Sequence, residues 1–142
     1  MPTTTEDFKA LSVRRLREAG ILYAGYEFAG AHYLAGYAIE CALKACIANQ
    51  TRAGDFPPPA DEVRRGYYTH DLKALLKSAG LLDKKDAKCE TDPDFETYWG
   101  IVAKWNESAR YERVRSALEA ESIIVAIKNP TSGVLPWIRG FW

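Results

Sequence analysis

Apolar residues recur at helical spacing along most of this chain, and no stretch alternates apolar and polar residues as a half-buried strand would. The most apolar stretch runs from Ala29 to Gln50. It is apolar on nearly every face of a helix, which is typical of a helix at the centre of a bundle. A shorter stripe before it predicts a first helix that begins after Thr4 or Thr5 and ends at Gly20. The pattern therefore predicts an all-α protein.

Three further helices are predicted after the central one. The first has Thr69 as its N-cap and ends at Gly80, and a charged loop from Leu81 to Thr91 follows it. The second begins at Asp92 and Pro93, because proline at the first helical position gives up an amide that has no partner there. It runs to about Asn106 with an aromatic inner face made of Phe95, Tyr98, Trp99, Val102 and Trp105.

The last predicted helix runs from about Arg113 to Lys128, and Asn129 and Pro130 end it. Its expected inward residues are Val114, Ala117, Leu118, Ile124 and Val125. The tail after it, residues 129–142, is too aromatic for a disordered segment. Either this tail folds back over the bundle, or it forms an apolar surface for a second subunit.

The length of 142 residues fits one domain with a substantial core. We therefore expect a single domain over residues 1–142, built as an up-and-down antiparallel bundle of four to five helices. Its core is predicted at about residues 5–128, and the apolar aromatic tail completes the chain.

One row of polar residues interrupts the apolar central helix. His32, Gly36, Glu40 and Lys44 recur every four positions, so they lie one above another on the helix surface. Burying Glu40 without a partner would cost several kcal/mol, on the order of the effective penalty for one buried ion. The row must therefore meet a partner, which can be Lys44 itself, another helix, water or a ligand. We expect His32, Glu40 and Lys44 to face one shared groove beside the segment that starts at His70.

Charge and cysteine usage narrow the function only slightly. The 19 basic and 19 acidic residues balance, so bulk charge gives no support for strong nonspecific nucleic-acid binding. The chain has no run of 18 apolar residues, and its start lacks the features of a signal peptide, so we expect a soluble, cytoplasmic protein without a membrane partner. Its three cysteines form no CxxC pair, and neither a metal site, a cofactor nor a disulfide framework is predicted.

A basic cluster lies on the first helix at Arg14, Arg15 and Arg17. It fits either a solvated face or a phosphate-contacting patch, and we favour the solvated face.

Three segments carry a resemblance to a known family: Tyr33 to Ala45 (YLAGYAIECALKA), His70 to Leu76 (HDLKALL) and Ala109 to Tyr111 (ARY). Together they resemble the HEPN domain, the higher eukaryotes and prokaryotes nucleotide-binding domain. The likeness spans about residues 8–128 and is closest to the small stand-alone prokaryotic members that are often paired with a minimal nucleotidyltransferase. It implies a helical bundle, usually a homodimer, with a cleft associated with nucleotide or RNA.

Many HEPN proteins are metal-independent ribonucleases that use an arginine and a histidine a few residues later. An imidazole can move the proton of the 2′-hydroxyl or of the leaving group, and arginine can stabilise charge on the phosphate. In this sequence only Arg64 or Arg65 followed by His70 matches that spacing, with Gly66 where ribonuclease members favour a polar residue. Arg64, Arg65 and His70 are the catalytic candidates of a second hypothesis, a ribonuclease toxin of a toxin–antitoxin pair.

The ligand-binding candidates lie in the segments that carry the resemblance. The central helix offers a carboxylate that needs a partner, and the helix predicted to begin at Thr69 offers an imidazole, so we expect a contact between Glu40 and His70. Lys44 can also pair with Glu40 within the helix. Arg110 and Tyr111 can border the cleft, where arginine suits phosphate, and Tyr37 can stack on a base.

The favoured hypothesis is a protein that binds a nucleotide or nucleic acid, or pairs with a nucleotidyltransferase, without catalysis of its own. The ribonuclease toxin is the alternative. A third hypothesis is a structural dimerisation module in which the polar row is internal bonding.

Overall fold

The computed structural model describes residues 4–50 and 69–142 of the chain. Within them it shows seven α-helices and no β-strand, which confirms the all-α prediction. The helices are α1 (Thr5–Ala24), α2 (Phe28–Asn49), α3 (Leu72–Ser78), α4 (Leu82–Thr91), α5 (Pro93–Ala103), α6 (Ala117–Lys128) and α7 (Val134–Arg139). A short 3-10 helix, Glu107–Tyr111, lies between α5 and α6.

Helix α2 is the centre of the bundle, as its composition predicts. Of its 22 residues 14 are buried, and it contacts α1, α3, α6, α7 and the 3-10 helix. Five buried alanines from Ala31 to Ala45 let neighbouring helices approach closely. The buried Ser12 hydroxyl of α1 donates a hydrogen bond of 2.7 Å to the carbonyl of Ala38, which fixes the two helices in register.

Two of the three predicted N-caps are correct. Thr4 caps α1 in a reciprocal capping box with Asp7, and Asp92 caps α5 by accepting a hydrogen bond from the amide of Phe95. Thr69 is not the N-cap of α3. Asp71 takes that place by accepting from the amides of Lys73 and Ala74, while the Thr69 hydroxyl accepts from the amide of Asp71.

The predicted end of α1 and the predicted loop from Leu81 to Thr91 are wrong. Helix α1 continues through Gly20 to Ala24, because glycine weakens a helix without breaking it. The segment predicted as a charged loop forms α4, which has no buried residue of its own. With this helix and α7, the described part of the chain exceeds the expected four to five helices.

The inward face predicted for the last helix is wrong at most of its positions, although Ile124 does pack against the core. Val114, Leu118 and Val125 are 85%, 70% and 42% exposed. Helix α6 begins only at Ala117, after a Ser116–Glu119 capping box, and it buries Ala120, Ile123, Ala126 and Ile127 instead.

The C-terminal tail folds back over the bundle, which was one of the two predicted alternatives. Its helix α7 buries Val134, Leu135 and Ile138 against the core. Trp137 packs on Phe95 with ring centroids 5.1 Å apart. None of the helices in the described ranges is long and apolar enough to cross a membrane.

Candidate functional site

Glu40 lies in the core at 1% exposure and has two basic partners. Its Oε1 is 2.8 Å from Nδ1 of His70, and its Oε2 is 3.2 Å from Nζ of Lys44. Because an ionised carboxylate can only accept, Nδ1 of His70 carries the hydrogen of that bond. The contact between Glu40 and His70 expected from the sequence is therefore present, and so is the pairing within α2.

A chain of charges continues outward from His70. Its Nε2 lies 3.7 Å from Oε2 of Glu107, whose Oε1 is 2.8 Å from Nη1 of Arg110. The Arg110 guanidinium lies 4.7 Å from the centroid of the Tyr111 ring and also donates to the Tyr111 hydroxyl. That hydrogen bond, followed by the charge of Glu107, raises the pKa of Arg110. Glu107 therefore links the histidine to the arginine.

A groove of about 530 Å³ opens beside His70, between the start of α3 and the end of α5. Its lining residues are Thr69, His70, Asp71, Lys73, Ala103, Lys104, Trp105, Asn106, Glu107 and Ser108. The His70 side chain is 42% exposed there, while the carboxylate that orients it is buried behind it. An imidazole held in this way keeps one ring nitrogen fixed and presents the other to the groove.

The acidic residues of the groove are engaged within the protein. Asp71 accepts from two backbone amides, and Glu107 forms an ion pair with Arg110. Lys73 and Lys104 have no acidic partner within 4 Å among the described residues. These two lysines are therefore available to pair with an anion in the groove.

Trp105 forms one wall of the groove and covers Gly36 of α2. A Cβ at Gly36 would overlap the indole ring, so only glycine admits it. The indole stacks on Tyr33 at a centroid distance of 6.0 Å. The buried Nε1 of Trp105 has no hydrogen-bond partner among the described residues.

The polar row of α2 does not share one groove, which corrects the prediction made from its spacing. Trp105 covers Gly36, between the levels of His32 and Glu40. His32 is buried, its Nδ1 has no partner within the described ranges, and its charged neighbours are Glu112, Arg115 and Glu119 near the start of α6. Burial first, and then Arg115, lower the pKa of His32.

No family model, no curated protein and no solved structure matches the chain. The likeness to HEPN domains therefore remains a prediction that depends on the three segments quoted above. Within residues 4–50 and 69–142, no group of three or more histidine, cysteine or acidic side chains is placed to hold a metal ion.

The predicted site residues separate into four groups. His70 lines the groove, and Glu40 and Lys44 lie behind it. Arg110 connects to His70 only through Glu107, and Tyr111 is 72% exposed beyond Arg110. Tyr37 is half-buried next to Tyr33, where burial and then the neighbouring Cys41 and Glu40 raise its pKa to about 12. Arg64 and Arg65 lie outside the described residues.

Sequence reasoning missed the other wall of the groove. The segment from Lys104 to Glu107 follows α5, which ends at Ala103 and not at about Asn106 as predicted, and Lys73 lies three residues after His70. Trp105 was assigned only to the core. The spacing of Glu107 three residues before Arg110 was the available signal for an ion pair at this point.

Proposed function

We propose that the groove beside His70 binds the phosphate of a nucleotide or of a short RNA segment. The observation that carries this proposal is the half-exposed imidazole of His70, which the buried Glu40 orients toward the groove. Lys73 and Lys104 add positive charge along the same walls. Asn106, Ser108 and Thr69 add short polar side chains, which suit phosphate and sugar oxygens.

Trp105 supports a nucleotide over a bare anion. Its indole provides an apolar wall against which a base can lie. In the function predicted from the HEPN likeness, a homodimer of this protein would work with a minimal nucleotidyltransferase. The groove would then receive the nucleotide or RNA that the partner modifies.

Nucleotide binding is tested by a thermal-shift panel of ATP, GTP, their products and a short single-stranded RNA. A ligand at 100 times its dissociation constant adds about 2.7 kcal/mol to the free energy of unfolding, which a melt resolves. We expect a shift with at least one of these compounds, and Lys104→Ala should weaken binding by about tenfold through the loss of one phosphate contact. Lys77→Ala is the control, because Lys77 is exposed on α3 and does not line the groove.

Melts that stay unchanged across the panel at millimolar ligand would contradict the proposal. They would favour the third hypothesis, in which Lys44 and His70 merely satisfy Glu40 and the chain is an interaction module.

The ribonuclease hypothesis gains one observation from the structure. A carboxylate that orients an imidazole is the arrangement that general acid–base catalysis needs. If the protein cleaves single-stranded RNA in EDTA, His70→Ala should abolish cleavage, and Arg64→Ala or Arg65→Ala should do the same. Lys73→Ala should leave substantial cleavage, since an amine at that place only attracts the substrate. Intact RNA after prolonged incubation with the wild-type protein would exclude this hypothesis.

A further inference from the structure

A second groove, unrelated to His70, runs along the outer side of α1 toward the ends of α6 and α7. It has a volume of about 420 Å³ and is lined by Val13, Leu16, Arg17, Gly20, Ile21, Lys128 and Arg139. None of these residues lines the groove beside His70. We refer to this feature as the α1 groove.

The floor of the α1 groove is apolar and open to water. Val13 is 50% exposed and Ile21 is 61% exposed, although both are large aliphatic side chains. They lie eight positions apart on α1, which corresponds to about 12 Å along a helix. An apolar strip of this length matches two turns of a helix laid into a groove.

The rim of the α1 groove carries positive charge. Arg17, Lys128 and Arg139 come from three different helices, and none of the described residues that line the groove is acidic. None of these three cations has an acidic partner within 4 Å in the described part of the chain. Arg14 extends the positive charge along α1, whereas the nearby Arg15 is paired with Glu18 at 2.6 Å.

Gly20 is the residue that the bundle itself does not explain. It lies inside α1, where glycine weakens a helix, and a Cβ there would meet no atom within 4 Å. No neighbour in the described ranges requires a glycine at this position. Its lack of a side chain leaves the floor of the α1 groove low enough for another backbone to come close.

We propose that the α1 groove binds an acidic amphipathic helix of a partner protein. The apolar face of that helix covers Val13, Leu16 and Ile21 over the flat surface at Gly20. Its carboxylates pair with Arg17, Lys128 and Arg139. The phosphates of a nucleic acid could pair with the cations, but they would leave the aliphatic floor without an apolar contact. An acidic amphipathic helix makes both kinds of contact and therefore fits better.

The probe is a fluorescein-labelled synthetic helix of about 18 residues, with leucine at the a, d and e positions and glutamate elsewhere. Its matched control has lysine in place of every glutamate. We expect measurable binding by fluorescence anisotropy for the acidic peptide, at least about tenfold tighter than for the lysine peptide at low salt. Arg17→Glu should weaken the acidic peptide by about tenfold or more, whereas Arg113→Glu makes the same charge change outside the groove and should leave binding unaltered.

Gly20→Leu separates docking from a structural role. Leucine favours a helix more than glycine does, so the melting temperature should stay equal or rise while the filled groove loses the peptide. Gly100→Leu is the matched control, since Gly100 lies in α5 with no atom within 4 Å of a built Cβ. It should raise the melting temperature in the same direction and leave peptide affinity unchanged.

Three outcomes would overturn the proposal. The first is equal affinity for both peptides or no binding of the acidic one, and the second is unchanged affinity in Gly20→Leu. The third is assignment of the α1 groove to another occupant. The occupant would be a nucleic acid if Arg17→Glu abolishes the binding of an RNA oligonucleotide but leaves the binding of the acidic peptide unchanged. It would be a second copy of the chain if Gly20→Leu converts a dimer to a monomer.

Discussion

The contact between Gly36 and Trp105 sets the geometry of the candidate site at the scale of single residues. The indole lies where any side chain at position 36 would be, and the same indole forms a wall of the groove beside His70. Gly36→Ala should therefore displace a rigid ring and lower the free energy of unfolding by about 1–3 kcal/mol. Urea unfolding measures this loss.

The control for Gly36→Ala is Gly100→Ala, which meets open space in another helix. It should not destabilise the protein. Equal stability of Gly36→Ala and wild type would show that Trp105 does not occupy the face of α2 at Gly36.

His32 makes stability depend on pH because burial, and secondly Arg115, lower its pKa below 6.5 in the folded protein. The unfolded chain then binds a proton more readily than the folded one. The penalty is absent well above pH 6.5 and grows as pH falls from about 6.5 toward the lower folded pKa. Urea unfolding at pH 7.5 and 5.5 should show a smaller acid-induced loss in His32→Gln than in wild type. Equal losses in both proteins would contradict this role of His32.

The sequence was informative about Glu40 and uninformative about its surroundings. A carboxylate in a helix that is apolar on every side requires a partner, and this requirement led to His70. The position of Trp105 depends on how α5 ends and on the 3-10 helix that follows, which no periodicity reveals. The four-residue row therefore predicted the contact between Glu40 and His70 but gave the wrong surroundings for His32.

At the scale of the helices, the end of α1 shows that helix propensity alone can give a wrong boundary. Gly20 indicated a helix end, yet α1 continues for one more turn and ends at Ala24 before Gly25. The apolar residues on α1 pack against α2, and this tertiary packing outweighs the cost of one glycine. Gly20→Ala should therefore raise the free energy of unfolding by about 0.5–1 kcal/mol.

Calorimetry or urea unfolding measures this gain. A loss of stability in Gly20→Ala would mean that α1 does not run helically through this position.

Helices α4 and α6 differ from the sequence-based prediction for two separate physical reasons. Helix α4 buries none of its residues, so its charged sequence carries no amphipathic signal. Helix α6 has more apolar residues than positions that face the core, so its sequence contains two possible apolar faces. The capping box at Ser116 and Glu119 starts the helix late, so Ile123 and Ile127 face the core while Val114 and Leu118 remain in water.

For the whole molecule, the tail that follows Asn129 is part of the core. Ile138 is fully buried, and its carbonyl lies 3.9 Å from the Sγ of Cys46 in α2. Ile138→Ala should lower the free energy of unfolding by about 2–5 kcal/mol, independently of protein concentration. Val125→Ala is the control on the exposed face of α6 and should change stability by no more than about 0.5 kcal/mol.

A small, concentration-dependent effect of Ile138→Ala would instead assign the tail to a subunit interface. The aromatic content of the tail predicted that it would be ordered. It did not decide between these two locations, because an apolar segment is stabilised equally by its own core or by a partner.

The candidate site depends on the buried Glu40 holding His70 at the wall of the groove. A double-mutant cycle with Glu40→Gln and His70→Ala, followed by urea unfolding, measures this contact. We expect a coupling free energy of about 1–3 kcal/mol, as for other residues in direct contact. Additive effects within about 0.5 kcal/mol would show that the two side chains do not interact and would contradict the proposed site.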